Sequence, residues 1–457
     1  MDKIACIPLA VLLIYTVCGA VHAPDVLSSR TIEGSEPSES SAPDVAWTYF
    51  TDRCVTSSPL VYEDMVLFGS RDWSVYCLDA DTGATIWSYR TGGQVDSSPR
   101  VYENKVYIGS RDDSIYCLDL HTGDKIWSFE TENDIASSPA ISEGNVYIGS
   151  KDAVLYCLDA ETGSVKWEFQ AGAYVFSSPV VEDGKVVFGS IDQHIYCIDA
   201  ETGEVLWKVY TGDKVYASAL IEEGNVYIGS WDDYMYCLDL ETGHEIWKYK
   251  TMHNIYSSAA LYKGYLYFGS VDYNIYCVEA DTGRFVWRIF TGNYVTSSPT
   301  VVDDRVYVGS VDFNLYCLNY KTGGVYWTFL THGDIECKPA VTDNYIYITS
   351  CDGHLYCLRR KLSTLKVISE PEGSDVYIDG EYQGKTPLEQ VVPPKEYLVT
   401  VESESGVRTR KIVLEEDETE EVEFRFHETG YWLIGLGIGC TGIILSYIVY
   451  KVRQRKV

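Results

Sequence analysis

Positive charge is what this chain has least of. Its 457 residues carry 36 Lys and Arg against 67 Asp and Glu, a formal net charge of −31. Four of the cations, Lys451, Arg453, Arg455 and Lys456, stand in the last seven residues, so the rest is more acidic still. Such a surface repels phosphate backbones, which excludes nucleic acid as a partner. There are 14 cysteines, but no two are adjacent, and no Asn-x-Ser/Thr acceptor occurs. Histidine is sparse: His194, His253, His332 and His354 are scattered along the chain, so no zinc spacing arises and no metal site is expected. What the chain does have is apolar surface to bury, 46% hydrophobic and 14% aromatic residues, which excludes wholesale disorder.

Long uncharged runs are confined to the two ends. Residues 4–21 are apolar after Asp2 and Lys3 and end in small residues around Cys18, Gly19, Ala20 and Ala23. This is the pattern of a secretory signal over 1–23, with an uncleaved anchor as the alternative, followed by a Ser/Pro/Glu-rich linker over 24–44. Tyr431 to Tyr450 is free of charge for twenty residues, enough to cross about 30 Å of hydrocarbon as a helix. The basic tail 451–457 places the C-terminus in the cytoplasm and everything before the span outside, a single-pass cell-membrane protein.

Between the ends the chain repeats every 40 residues without an insertion. Tyr-Cys recurs in eight copies from Tyr76-Cys77 to Tyr356-Cys357, and Ser70 and Asp72 recur in all eight. Thr82-Gly83 recurs in six further copies, and Trp in seven: Trp87, Trp127, Trp167, Trp207, Trp247, Trp287 and Trp327. The eighth copy breaks off at Arg359-Arg360-Lys361. Each copy holds four short runs alternating apolar and polar residues and rich in Val, Ile and Tyr, with Gly, Asp and Asn between them. Four antiparallel strands per unit, unable to bury both faces alone, stack as blades about an axis. The fold expected is therefore all-β: an eight-bladed β-propeller over 45–361. The missing tryptophan is Trp47, forty residues before Trp87. Its strand is expected to become the outer strand of the last blade and close the ring.

These positions carry a resemblance. Cys77, Asp79, Thr82-Gly83 and Trp87 stand where the tryptophan-docking repeat of the pyrroloquinoline quinone (PQQ) propellers has Ala, Asp, Thr-Gly and Trp. That family includes quinoprotein dehydrogenases and non-enzymatic relatives such as the outer-membrane assembly factor BamB. The segment 364–427, with Pro371-Glu372-Gly373-Ser374, Val376 to Gly380, Gly384 and Thr386-Pro387, looks like a PEGA domain, a small β-sandwich. A dehydrogenase of this family would imply adjacent cysteines against the quinone, a calcium site, a catalytic carboxylate and long inserted loops. None of these motifs is present, and the nearest carboxylates, Asp134 and Glu336, have no second residue to make one. The expectation is a protein that is not an enzyme and holds no cofactor.

The register cysteines lie one per blade, and sheets about 10 Å apart exceed the roughly 7 Å Cα separation a disulfide tolerates. They read as small apolar groups in the slot where a neighbouring blade's Trp packs. Cys54, Cys337 and Cys351 fall outside the pattern near the ring closure, and one pair among them is compatible with a disulfide outside the cell. Asp72 and its equivalents read as turn residues, since calcium would need several carboxylates converging. The Ser57-Ser58-Pro59 series reads as small residues demanded by packing at the axis.

Stepping by 40 separates fixed from free positions. From 56 the series is Thr56, Asp96, Ala136, Phe176, Tyr216, Tyr256, Thr296 and Glu336; from 73 it is Trp73, Asp113, Ala153, Gln193, Asp233, Tyr273, Phe313 and Gly353. Both loops emerge on one face of a propeller, where Phe176, Tyr216, Trp231, Tyr234, Tyr256, Tyr273, Tyr294 and Phe313 gather on blades four to seven. They are either a recognition surface or a plug of the channel mouth. The function expected is a non-catalytic binding or assembly scaffold at the cell surface. Its partner would be a surface protein, a glycan or an envelope polymer. The alternatives are a quinoprotein dehydrogenase and an extracellular ligand sensor.

Overall fold

The computed structural model describes residues 42–414 and 418–426. The expected signal 1–23, nearly all of the linker 24–44, the span 431–450 and the tail 451–457 lie outside them. Among the described residues no helix is long and apolar enough to cross a membrane. The chain divides into two compact units at Arg360.

The first unit begins with β1 (Val45–Phe50), β2 (Leu60–Tyr62), β3 (Met65–Ser70), β4 (Ser74–Asp79) and β5 (Thr85–Arg90). β2 to β5 form a four-stranded antiparallel meander, and six further sheets repeat it. A last sheet joins Ala340–Val341, Tyr345–Thr349 and His354–Arg359 to β1, which pairs as the outer strand. Trp47 lies opposite Cys357, as Trp87 lies opposite Cys77 in the first sheet. The sequence period therefore continues through the closure, and β1 covers an edge that would otherwise present unpaired backbone.

Every residue of β3 is buried, because both faces of its sheet are covered. The outer strands carry the joints between sheets. The Trp87 indole N–H donates to the Leu120 carbonyl of the next sheet at 2.8 Å, Trp127 to Ala160 at 3.1 Å and Trp47 to Ala80 at 3.1 Å. The Trp87 ring lies on the next Thr-Gly turn so closely that a Cβ on Gly123 would come within 2.6 Å of it. Gly123 also has φ +73°, so glycine is required there twice over. Tyr107 donates to the same Ala160 carbonyl at 3.0 Å. The cysteines depart from expectation. Cys117 faces forward with Tyr107 and its own sheet's Trp127, whereas the preceding sheet's Trp87 packs on Leu118 and Leu120. Side chains alternate across a strand, so Cys117 and Leu118 necessarily face opposite neighbours. Burial pushes the Cys117 thiol up to about 12, so it stays protonated and apolar.

Two polar belts add to this. Ser58 N–H donates to Ser98 Oγ at 2.9 Å, Ser98 to Ser138 at 2.8 Å, Ser138 to Ser178 at 2.9 Å, and Lys338 N–H returns to Ser58 Oγ at 2.9 Å. The second hydroxyl of these Ser-Ser pairs thus links neighbouring sheets, beyond merely being small. The Asp112 carboxylate holds its own turn through Tyr116 Oη at 2.8 Å and also accepts the Gly92 N–H of the previous sheet.

The Thr-Gly turns make a pH prediction. Asp79 Oδ1 accepts from the Thr82 hydroxyl at 2.6 Å and the Thr82 N–H at 2.8 Å. Hydrogen bonds from threonine side chain and backbone hold Asp79, Asp119, Asp159, Asp199 and Asp239 below the usual carboxylate range. A depressed folded-state pKa contributes stability above the unfolded value of about 3.9, and that contribution is lost as pH falls through the folded values. The urea midpoint is expected to fall as pH drops below about 4. A midpoint indifferent to pH there contradicts the assignment.

The second unit is a two-sheet sandwich. Leu388–Val392, Ser363–Glu370 and Thr419–Arg425 form one sheet; Glu381–Lys385, Asp375–Ile378, Glu396–Ser403 and Gly406–Val413 form the other. Leu365, Val367, Val376, Val399, Val401 and Phe424 fill its core. Asp379 and Gly380, at φ +53° and +88°, make the expected tight hairpin turn.

Candidate functional site

The rim begins with alternation. In the segment 55–59 the odd positions are buried and the even ones partly accessible. Val95, the equivalent of Val55, seats against Gly69, where a Cβ would come within 2.3 Å of its Cγ1. Ser97 Oγ accepts the Gly109 N–H at 3.1 Å. In the last copy Cys337 replaces this serine, and its sulfur accepts the Thr349 N–H at 3.2 Å. With 55 and 57 anchored inward, the side chain at 56 faces the axis. Position 71 is tied alongside by its N–H, as in Arg71 to Cys54 O at 3.1 Å and Trp231 to Lys214 O at 2.9 Å.

Two sectors result. In the aromatic sector Tyr216 is central: Trp231 lies 4.5 Å from it, Phe176 5.4 Å, and Tyr256 stacks at 5.4 Å. Lys151 and Lys214 sit over the Phe176 and Trp231 rings at 5.3 and 5.4 Å. In the charged sector Asp96 accepts from Arg71 Nε at 2.7 Å and Thr56 Oγ1 at 2.8 Å and pairs with Arg111. Burial pushes the Asp96 carboxyl up, but Arg71 and Arg111 outweigh it and hold it below its usual range. Burial, reinforced by Asp334 and Asp96 and opposed by Arg71, raises Glu336. Tyr256 joins the sectors. Though 39% of its surface is accessible, burial of its hydroxyl and the charges of Glu336 and Asp96 push it up to about 12, with Arg111 opposing.

Not all predicted rim residues meet. Tyr273 and Tyr294 form a separate pair at 5.3 Å, with Phe290 6.1 Å from Tyr273. Tyr234 lies under Lys248 and Lys250 at 5.4 and 5.2 Å. Phe313, 41% exposed, has no aromatic contact among the described residues. These four come from the 73 and 94 series or from a strand start, whereas the central aromatic cluster is drawn from the 56 and 71 series.

The sequence reading missed Arg71, Arg111, Lys151 and Asp334. The signal was available: stepping by 40 from 71 gives Arg71, Arg111, Lys151, Ile191, Trp231, Val271, Val311 and Cys351. Glu336, taken to stand alone, has company, since its carboxylate, the Asp334 carboxylate and Cys351 Sγ lie within 4.8 Å of one another. Asp134 pairs with Lys151 at 2.6 Å. Cys351 is bonded to Cys54, 297 residues away, while Cys337 is free and buried. Tied up in that disulfide, Cys351 offers no thiolate to a metal.

Four-stranded sheets joined by tryptophans resting on the next sheet's Thr-Gly turn define a β-propeller of the PQQ-like repeat class. The chain belongs to the beta-propeller family of the beta-alanine-activating enzyme, whose model matches residues 51–305. The outer membrane protein assembly factor BamB model matches 271–364, and the PEGA domain model matches 362–429. Among solved structures, BamB from Moraxella catarrhalis is 17% identical with TM-score 0.62, covering 69% of this chain and 99% of that one. The computationally designed Ika8 protein is 17% identical with TM-score 0.63, covering 70% and 99%. The quinohemoprotein alcohol dehydrogenase of Comamonas testosteroni is 14% identical with TM-score 0.61, covering 71% and 78%. At such identities the likeness is one of fold. No curated protein matches the chain.

Proposed function

We propose that this protein is a non-catalytic recognition scaffold. Its eight blades form a ring held outside the cell on the PEGA unit and the single span 431–450, and the ring captures its partner with the aromatic sector of the axial rim. The observation that supports this reading is the break in symmetry. The same backbone positions carry Thr56, Asp96 and Ala136 in one sector and Phe176, Tyr216 and Tyr256 in another. Packing of an otherwise regular ring does not demand that difference, and partly exposed aromatics are the side chains that dominate interface energetics. Crosslinking on intact cells followed by mass spectrometry tests it. Wild-type protein is expected to yield a rim-linked partner, and Tyr216→Ala with Tyr256→Ala to abolish the capture while leaving the fold intact. Undiminished capture by the double variant counts against the rim.

A second reading, a quinoprotein enzyme, is favoured by one observation: the Cys54–Cys351 disulfide and two carboxylates share the axial mouth. The donor set does not fit the quinone well. Arg71 and Arg111 are already matched by Asp96 and Glu336, so a cofactor bearing several carboxylates meets no net positive charge. Reconstitution with PQQ and calcium followed by a dye-linked oxidation assay separates the readings, and turnover would establish the enzyme.

A further inference from the structure

Below the mouth, the lumen of the ring holds two cations with no counter-charge. With positions 55, 57 and 59 packed into the sheets, 58 and 60 follow 56 down the axis. Seven copies carry serine at the 58 position and the eighth carries Lys338; at the 60 position Arg100 stands where the others have Leu, Ala, Val or Thr. These are single replacements in otherwise uncharged rings. They are also close together. The Lys338 N–H donates to Ser58 Oγ and the Ser58 N–H to Ser98 Oγ, each at 2.9 Å, and Arg100 follows Ser98 by two residues on the same face. Neither head group has a hydrogen bond or ion pair among the described residues. Glu336, two residues before Lys338, is governed instead by Arg71, Asp334 and Asp96 at the mouth. Both cationic side chains are accessible, yet the surrounding protein desolvates them: burial pushes Arg100 down, and burial together with the Arg100 charge pushes Lys338 down. An accessible group that is nonetheless desolvated lines an enclosed space, and like charges left unanswered there are costly.

We infer that the lumen binds one small doubly charged oxyanion, sulfate or hydrogen phosphate, between Arg100 and Lys338. This site is separate from the rim and does not depend on what the rim captures. Two cations with no carboxylate between them call for two negative charges, and low-dielectric walls lined by one sign of charge focus the field on a small ion. The hydrogen-bonding inventory selects the same ligand. Guanidinium and ammonium donate and cannot accept, and the Ser58 and Ser98 oxygens already accept a backbone N–H, which leaves their own hydrogens to give. A ligand made only of acceptors fits such a lining, and the planar guanidinium can offer two N–H groups to two oxygens of one ion. The −31 on the whole chain opposes large polyanions, but salt screens it beyond about 8 Å, whereas the lumen cations act at contact.

Equilibrium dialysis of the full-length protein against radiolabelled sulfate and phosphate, with sodium chloride matched for ionic strength, tests this. Acetate, succinate and PQQ serve as competitors. One ion per chain is expected to be retained, and the preference between sulfate and phosphate names it. Lys338→Ser restores the residue of the other copies, and Arg100→Leu the residue of Leu60 and Leu220, so the ring is expected to fold in both, as circular dichroism checks. Each change is expected to weaken retention by about tenfold, and the two together to abolish it. In buffer free of both ions the double variant is expected to unfold at higher urea than the wild type, and sulfate or phosphate to raise only the wild-type midpoint. No retention of either ion, chloride as effective at equal ionic strength, a carboxylate (PQQ included) bound more tightly than both, or unchanged retention by the folded double variant each overturns the inference. So does a double variant less stable than the wild type without the ions, since the cations would then already have their counter-charge.

Discussion

Trp287→Ala is expected to lower the unfolding free energy by about 3–5 kcal/mol, the range for removing a buried tryptophan from a core that cannot collapse onto the gap. Trp287 is 3% exposed, donates to the Tyr320 carbonyl at 3.1 Å and covers Gly323, where even a Cβ would come within 2.7 Å of its ring. Its loss leaves a void between two sheets, and the Tyr320 carbonyl keeps only the Tyr267 hydroxyl, at 2.9 Å. Trp287→Phe keeps most of the apolar contact and removes the hydrogen bond, so about 1–2 kcal/mol is expected. Trp167 makes the same bond to Ala200 at 3.1 Å but is only half-buried, so Trp167→Ala is expected to cost less than Trp287→Ala. Urea unfolding followed by circular dichroism measures all three. Equal losses at 167 and 287 would show that burial between sheets is not what the tryptophans contribute.

The second large effect is expected at the ring closure. Cys54–Cys351 bridges 297 residues of sequence beside the seam where β1 meets His354–Arg359. A crosslink spanning that much chain restricts the unfolded ensemble strongly, and removing a native disulfide typically costs about 2–5 kcal/mol. Cys54→Ser with Cys351→Ser is expected to unfold at lower urea and to respond no further to reductant, whereas the wild type drops to the variant's midpoint when reduced. A wild-type midpoint indifferent to reductant would mean that the pair contributes nothing to closure. The nine other described cysteines are buried and outside any disulfide. Burial pushes Cys77 and Cys357 up to about 12, so these thiols do not compete for oxidation.

The periodic part of the molecule was legible because each repeat states its own rules. Thr82-Gly83 encodes a turn, Asp79 caps it, and Trp87 marks the outer strand, so Trp47 was recognisable as a displaced member of the same set. Cysteine orientation was harder. Cys77 and Trp87 are paired in one sheet, while Trp47 meets the turn at Gly83 from the sheet before, and a periodic string alone does not say from which side a neighbour arrives. The rim was half legible. Choosing residues for being aromatic brought in Tyr234, Tyr273, Tyr294 and Phe313, which do not reach the central cluster. Arg71, Arg111 and Asp334, which do line the mouth, were passed over because they are not aromatic.

Sequence by itself determined the strands, the 40-residue unit, the closing role of Trp47 and the PEGA hairpin at Asp379-Gly380. All of these rest on contacts within a few tens of residues or on an exact period. Tertiary structure alone decided that Cys54 meets Cys351, that Asp334 and Glu336 approach them, and that Tyr256 shares its surroundings with Asp96 and Arg111. Those residues lie on different blades and come together only when the ring closes about its axis, and no local propensity or spacing encodes distance across a closed ring.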